Sequence, residues 1–112
     1  MQIKADFVRK HGLFSGFSVS GHDVAAEDTG ISVLCAAVSS AVQLTCNTLT
    51  ECFGVPADAV QVIPAKNAQN QITVRLPEPD PVQSKLIEGL LLHLNLLSEE
   101  SGGALRVTVS GQ

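Results

Sequence analysis

The stretch Asp80-Pro-Val-Gln-Ser-Lys-Leu-Ile-Glu-Gly-Leu-Leu-Leu-His-Leu-Asn-Leu-Leu-Ser-Glu-Glu-Ser-Gly-Gly-Ala-Leu-Arg-Val-Thr-Val-Ser110 contains one helix, its punctuation and one strand. Asp80 is an N-cap, Pro81 takes the first helical position and Gln83 completes a capping box. The leucine-rich run predicts a helix to about Ser101, which Gly102-Gly103 closes. Leu105, Val107 and Val109 then alternate with Arg106, Thr108 and Ser110, the period of a half-buried strand. A helix followed by a strand, each with an apolar side, needs a sheet to complete the core.

The rest of the chain supplies it. Ile3, Ala5 and Phe7 alternate with Lys4 and Asp6, the segment reverses at His11-Gly12, and Leu13, Phe17 and Val19 form a second strand. Leu34, Val38, Val42, Leu49 and Phe53 have helical spacing from about Val33 to Phe53, where Gly54-Val55-Pro56 stops the helix. Val60 and Val62, then Ile72, Val74 and Leu76, predict another strand pair. The order ββαββαβ implies one domain over residues 1–112, an α+β two-layer sandwich with two helices on one face of a mostly antiparallel sheet.

Composition narrows the function classes. The 112 residues are 45% hydrophobic and 16% charged, more apolar than a lone small domain needs to hide, so a second copy is expected to cover part of the surface. Leucine-rich Leu86 to Leu97 is the expected dimer face. No apolar segment is expected to cross a bilayer, and the amino terminus does not read as a signal peptide, which predicts a cytoplasmic protein. Formal charge is -4, with no Trp, no Tyr and no Lys/Arg stripe in the chain, so direct nucleic-acid binding is not expected. Cys35, Cys46 and Cys52 share one predicted helix at separations that forbid pairing. No CxxC or HxxxH spacing is present, so neither a metal nor a cofactor is expected.

The chemistry-bearing segment is Gly21-His-Asp-Val-Ala-Ala-Glu-Asp-Thr-Gly-Ile-Ser-Val-Leu-Cys-Ala-Ala-Val-Ser-Ser40. A thiol attacks as thiolate, and a free cysteine is only a few per cent ionised at neutral pH. With Ser32 as N-cap, Cys35 is the third helical residue, facing the unpaired amides and positive end of the dipole, and His22 is within reach as a base. The glycines Gly21 and Gly30 flank a loop that can act as a lid. On these residues alone two readings stand: a Cys-His nucleophile pair, or a small apolar helix residue preceded by an ordinary loop histidine. Cys46, in line with Cys35 but mid-helix, is expected in the core, and His93 is expected half-buried and hydrogen-bonded.

The Gly21-His22 pair, Gly30, Val33-Leu34 and the run Cys35-Ala36-Ala37-Val38-Ser39 resemble the signature of the ribosomal-processing cysteine protease family, Prp or YsxB-like. The resemblance implies a homodimeric cytoplasmic endopeptidase that removes the short N-terminal extension of large-ribosomal-subunit protein twenty-seven, cutting after an aromatic residue and before a small one. It implies Cys35 as nucleophile, His22 as base, and Gly21, Gly30, Ser32 and Ser39 as positions that shape the site. Two positions depart from the family pattern: Asp23 stands where Ala is usual and Ser32 where Asp is usual. The alternative is a non-catalytic ribosome-associated or assembly-binding protein of the same fold.

Overall fold

Phe7 is fully buried and packs its ring 5.6 Å from Phe17 and 6.4 Å, edge-on, from Phe14. Around it the computed structural model describes residues 3–22, 29–63 and 69–112, side chains excepted at 22, 29–32, 63 and 69–70. Strand β1 (Ile3–Lys10) alternates buried and exposed until its last turn. It reverses through His11 and Gly12, both at positive φ (54° and 82°), the backbone signature of a tight two-residue hairpin turn. Strand β2 (Leu13–His22) returns antiparallel, with a bulge at Val8/Arg9.

Helix α1 (Thr29–Asn47) follows and continues through a π-helical turn, Thr48–Cys52. Strands β3 (Val60–Ile63) and β4 (Gln69–Arg75) form the second antiparallel pair. Helix α2 (Pro81–Glu100) has the capping box read from sequence: Asp80 Oδ1 accepts from Gln83 N–H at 2.7 Å, and Gln83 Oε1 accepts from Asp80 N–H at 3.2 Å. Strand β5 (Leu105–Gly111) closes the fold. The sheet order is β3-β4-β2-β1-β5, antiparallel except where β5 lies parallel to β1. The α+β sandwich expected from the ββαββαβ order is therefore present.

One sheet face carries the core. Ile3, Ala5, Phe7, Phe17, Val19, Val74 and Leu105 meet Leu34, Val38, Val42 and Leu49 from the α1 side and Ile87, Leu90, Leu91 and Leu94 from α2. Burying one such side chain stabilises by roughly 1.5 to 3 kcal/mol. A buried hydrogen bond ties helix to strand, Phe14 N–H donating to Ser84 Oγ at 2.9 Å.

Three expectations change. Helix α1 begins at Thr29, so Ser32 is its fourth residue and does not cap it; nothing in Gly30-Ile31-Ser32 blocks helical dihedrals, and glycine close to a helix end costs little. The 20-residue stretch Val33–Cys52 is long and apolar enough to cross a bilayer by length and composition, contrary to the sequence reading. Five of its residues, Leu34, Val38, Val42, Cys46 and Leu49, nevertheless form one stripe buried in the core, while Val33 and Leu44 are exposed. His93 is exposed rather than half-buried, because it stands on the solvent side of α2 next to exposed Leu92.

Candidate active site

Gly21 and His22 end strand β2, paired in register with Asn70 and Gln69 of β4. The position suits a base: a strand end is fixed by its ladder yet opens directly into a connection. Gly21 packs closely there: a Cβ would stand 3.3 Å from two carbons of Ile3, itself 3% exposed, and the Ile3 side chain would have to give by a few tenths of an ångström. The His22 imidazole and the segment Asp23 to Asp28, with the lid reading and the acidic residues Asp23, Glu27 and Asp28, lie outside the described residues.

Cys35 is half-buried on α1 and packs against the edge of the core. Ser39 is one turn further along and exposed. Gly30 and Ser32 belong to the first turns of the same helix. β2 ends at His22 and α1 begins at Thr29, so Gly21, His22, Gly30 and Ser32 flank one short connection in the chain, with Cys35 two turns into the helix.

The earlier helix start changes the electrostatics. The unsatisfied amides of a helix are its first four, here residues 29–32, and the dipole's influence fades within the first turn. Cys35 is the seventh helical residue, one turn deeper than the sequence reading placed it. Its side chain leans back toward those amides, as helical side chains do, but its own turn is already hydrogen-bonded. At that depth the helix end alone contributes little to ionising a thiol.

Cys46 behaves differently. It is 8% exposed, and burial pushes its thiol above the ordinary value, which disfavours the nucleophilic form. Cys52 is exposed at the far end of the π-helical turn. Among the described residues no group of His, Cys, Asp and Glu is arranged to hold a metal ion.

Sequence reasoning missed two features. The first is the polar run Gln69-Asn70-Gln71, which the β2–β4 register sets beside His22, Gly21 and Ser20; pairing across about fifty residues leaves no local signal. The second is a cleft of about 550 Å³ between the end of α1 and the start of α2, lined by Phe53, Val55, Asp58, Arg75 and Glu78 among others. It sits at the opposite end of β2 and β4 from His22 and takes no part in the site.

The family model of the cysteine protease Prp matches residues 2–106. The chain belongs to that family. In fold it is similar to SMU.848 from Streptococcus mutans, with a TM-score of 0.81 at 24% identity, over 99% of this chain and 96% of that one. Two structures of an essential ribosomal processing protease Prp from S. aureus are also similar. One holds a covalently linked product peptide, with a TM-score of 0.70 at 17% identity, over 97% of this chain and 100% of that one. The other holds a substrate peptide, with a TM-score of 0.71 at 14% identity, over 97% and 100%. No curated protein matches the chain. This Prp family member has a histidine at the end of β2 and a cysteine on α1, with Ser32 between them.

Proposed function

We propose that this Prp family member is a cytoplasmic, single-domain cysteine endopeptidase that removes the short N-terminal extension of large-ribosomal-subunit protein twenty-seven. The family match over residues 2–106 carries the reading. The bound peptides in the S. aureus Prp structures support a peptide as substrate.

Cys35 is the nucleophile and His22 its base. The imidazole takes the Sγ proton, the sulfur adds to the scissile carbonyl, and a tetrahedral oxyanion forms. Its collapse breaks the C–N bond while imidazolium protonates the departing amine. Water, deprotonated by the same imidazole, then releases the thioester as a carboxylate and restores the thiol. The open amides of residues 29–32 lie on the side toward which Cys35 leans, which favours them as oxyanion donors. Gly21, Gly30 and Ser39 shape the site around the peptide residue on the amino side of the cut, an aromatic one, and the small residue that follows it.

A second copy completes the surface. Val82, Leu92 and Leu96 on α2 are 57%, 58% and 59% exposed, three large apolar side chains on one helix, and they favour α2 as the homodimer face.

The test is cleavage of a peptide copying the ribosomal extension. Cys35→Ala abolishes cleavage with the fold intact, and His22→Ala lowers kcat by at least about 100-fold, the usual scale of general-base catalysis. Turnover by Cys35→Ala would remove Cys35 as the nucleophile, and absence of cleavage by the unsubstituted protein would sink the reading in favour of a binding protein with inert thiols.

A further inference from the structure

Both helices cover one face of the sheet, and among the described residues no element covers the other. Its residues follow from alternation and register. On β1, Lys4, Asp6, Val8 and Lys10 oppose the buried Ile3, Ala5 and Phe7. Arg106 and Thr108 of β5 are the register partners of Lys4 and Asp6, and the Thr108 hydroxyl meets the Asp6 carboxylate, which places that β5 row on the same side. From β2 and β4 come Ser18, Gln71 and Thr73, joined by Gln71 Nε2 donating to Ser18 Oγ at 2.9 Å and a Ser18–Thr73 hydroxyl contact of 3.3 Å. Arg75 extends the β4 row.

Lysines and arginines scattered through the sequence at 4, 10, 75 and 106 thus share one face. Among the described residues four basic side chains and one acidic, Asp6, stand there, a net of +3 on a protein of net -4. These cations are unneutralised: Lys85–Glu88 is the one ion pair among the described residues, even though Asp58 and Glu78 share a neighbouring cleft with Arg75. Between Lys10 and Arg75 the face is hollowed into a cleft of about 400 Å³. Its floor is Gly16, where a Cβ would stand 2.2 Å from the carbonyl oxygen of Val74.

The chemistry selects the partner. Lys4 and Lys10 are six residues apart on one strand, about 20 Å, so a single small anion cannot touch both ends. A polyanion can. The face carries no aromatic residue, since Phe7, Phe14 and Phe17 are in the core and Phe53 lies elsewhere, and so it lacks the anchors of a protein hot spot and the platforms for base stacking. What it offers between the two cation pairs is a row of hydroxyl and amide groups, which suit phosphate oxygens and the ribose 2′-hydroxyl.

We propose that the open sheet face docks the sugar-phosphate backbone of RNA, without sequence preference, through Lys4 and Arg106 at one end and Lys10 and Arg75 at the other. The inference is independent of the protease reading. It departs from the expectation of no direct nucleic-acid binding, which rested on the absence of a basic stripe along the chain.

The experiment is fluorescence anisotropy of a labelled oligouridylate with the full chain as salt is varied. Four phosphate contacts to a single strand give a log-log slope of about −3, and Lys4→Gln/Arg106→Gln or Lys10→Gln/Arg75→Gln each bring it to about −1.5. These exposed substitutions leave the thermal transition in place, which separates lost binding from lost folding. Absence of binding at low salt, or a slope untouched by either double variant, overturns the proposal. Equal binding of oligodeoxythymidylate, polyglutamate or anionic lipid vesicles through the same four residues overturns the assignment to RNA.

Discussion

Two thiols eleven residues apart on α1 differ in surroundings. Cys35 is half-buried against the core, and Cys46 is 8% exposed with its thiol pushed up by burial. Alkylation at about pH 6.5 is expected to modify Cys35 far faster than Cys46 or Cys52, read by mass spectrometry of the three cysteine peptides. Because Cys35 lies beyond the first helical turn, the same assay on His22→Ala is expected to slow Cys35 at least about tenfold. An unchanged rate would return activation to the helix end. The linkage sign for Cys46 follows from its raised pKa: stability is full below the free-thiol value near 8.5 and falls as pH rises above it, since only the unfolded chain ionises readily there.

At the level of elements, the start of α2 carries two polar devices of different weight four residues apart, at Asp80 and Ser84. The Asp80 capping bond is exposed, whereas Ser84 Oγ is the acceptor for the buried Phe14 N–H. Asp80→Ala is expected to cost about 1 kcal/mol. Ser84→Ala strands a buried donor and is expected to cost about 2 kcal/mol. Urea titrations of both variants check the order, and an Asp80→Ala loss larger than the Ser84→Ala loss would contradict it. The capping box was legible because it spans four consecutive residues. The Ser84 bond was not, since its partner lies seventy positions away.

For the whole molecule, apolar excess and charge segregate to different surfaces. Val82, Leu92 and Leu96 are exposed on α2, on the layer opposite the cationic sheet face. If α2 is the dimer face, Leu92→Asp/Leu96→Asp is expected to convert a dimer to a monomer in sedimentation velocity while RNA binding persists. A dimer that survives both substitutions would move the interface to another apolar site, such as Val33 and Leu44 on α1, which are 66% and 69% exposed. The two helices and the sheet thus leave one surface suited to a copy of the chain and another suited to a polyanion.

Local order explains what could be read early. Alternation in Ile3 to Phe7 and Leu105 to Val109, the Asp80-Pro81-Gln83 start and the three-four spacing of Leu34, Val38 and Val42 each act over a few residues, so the ββαββαβ order and the positions of His22 and Cys35 were in the sequence by itself. The helix start at Thr29 was not, because four permissive residues extend a helix that distant packing stabilises. Nor was the placement of Gln69 beside His22, or of Lys4 beside Arg106. Those neighbours are set by strand register, which is decided when apolar faces separated by up to a hundred residues close on one core, and only then do scattered side chains become a site or a surface.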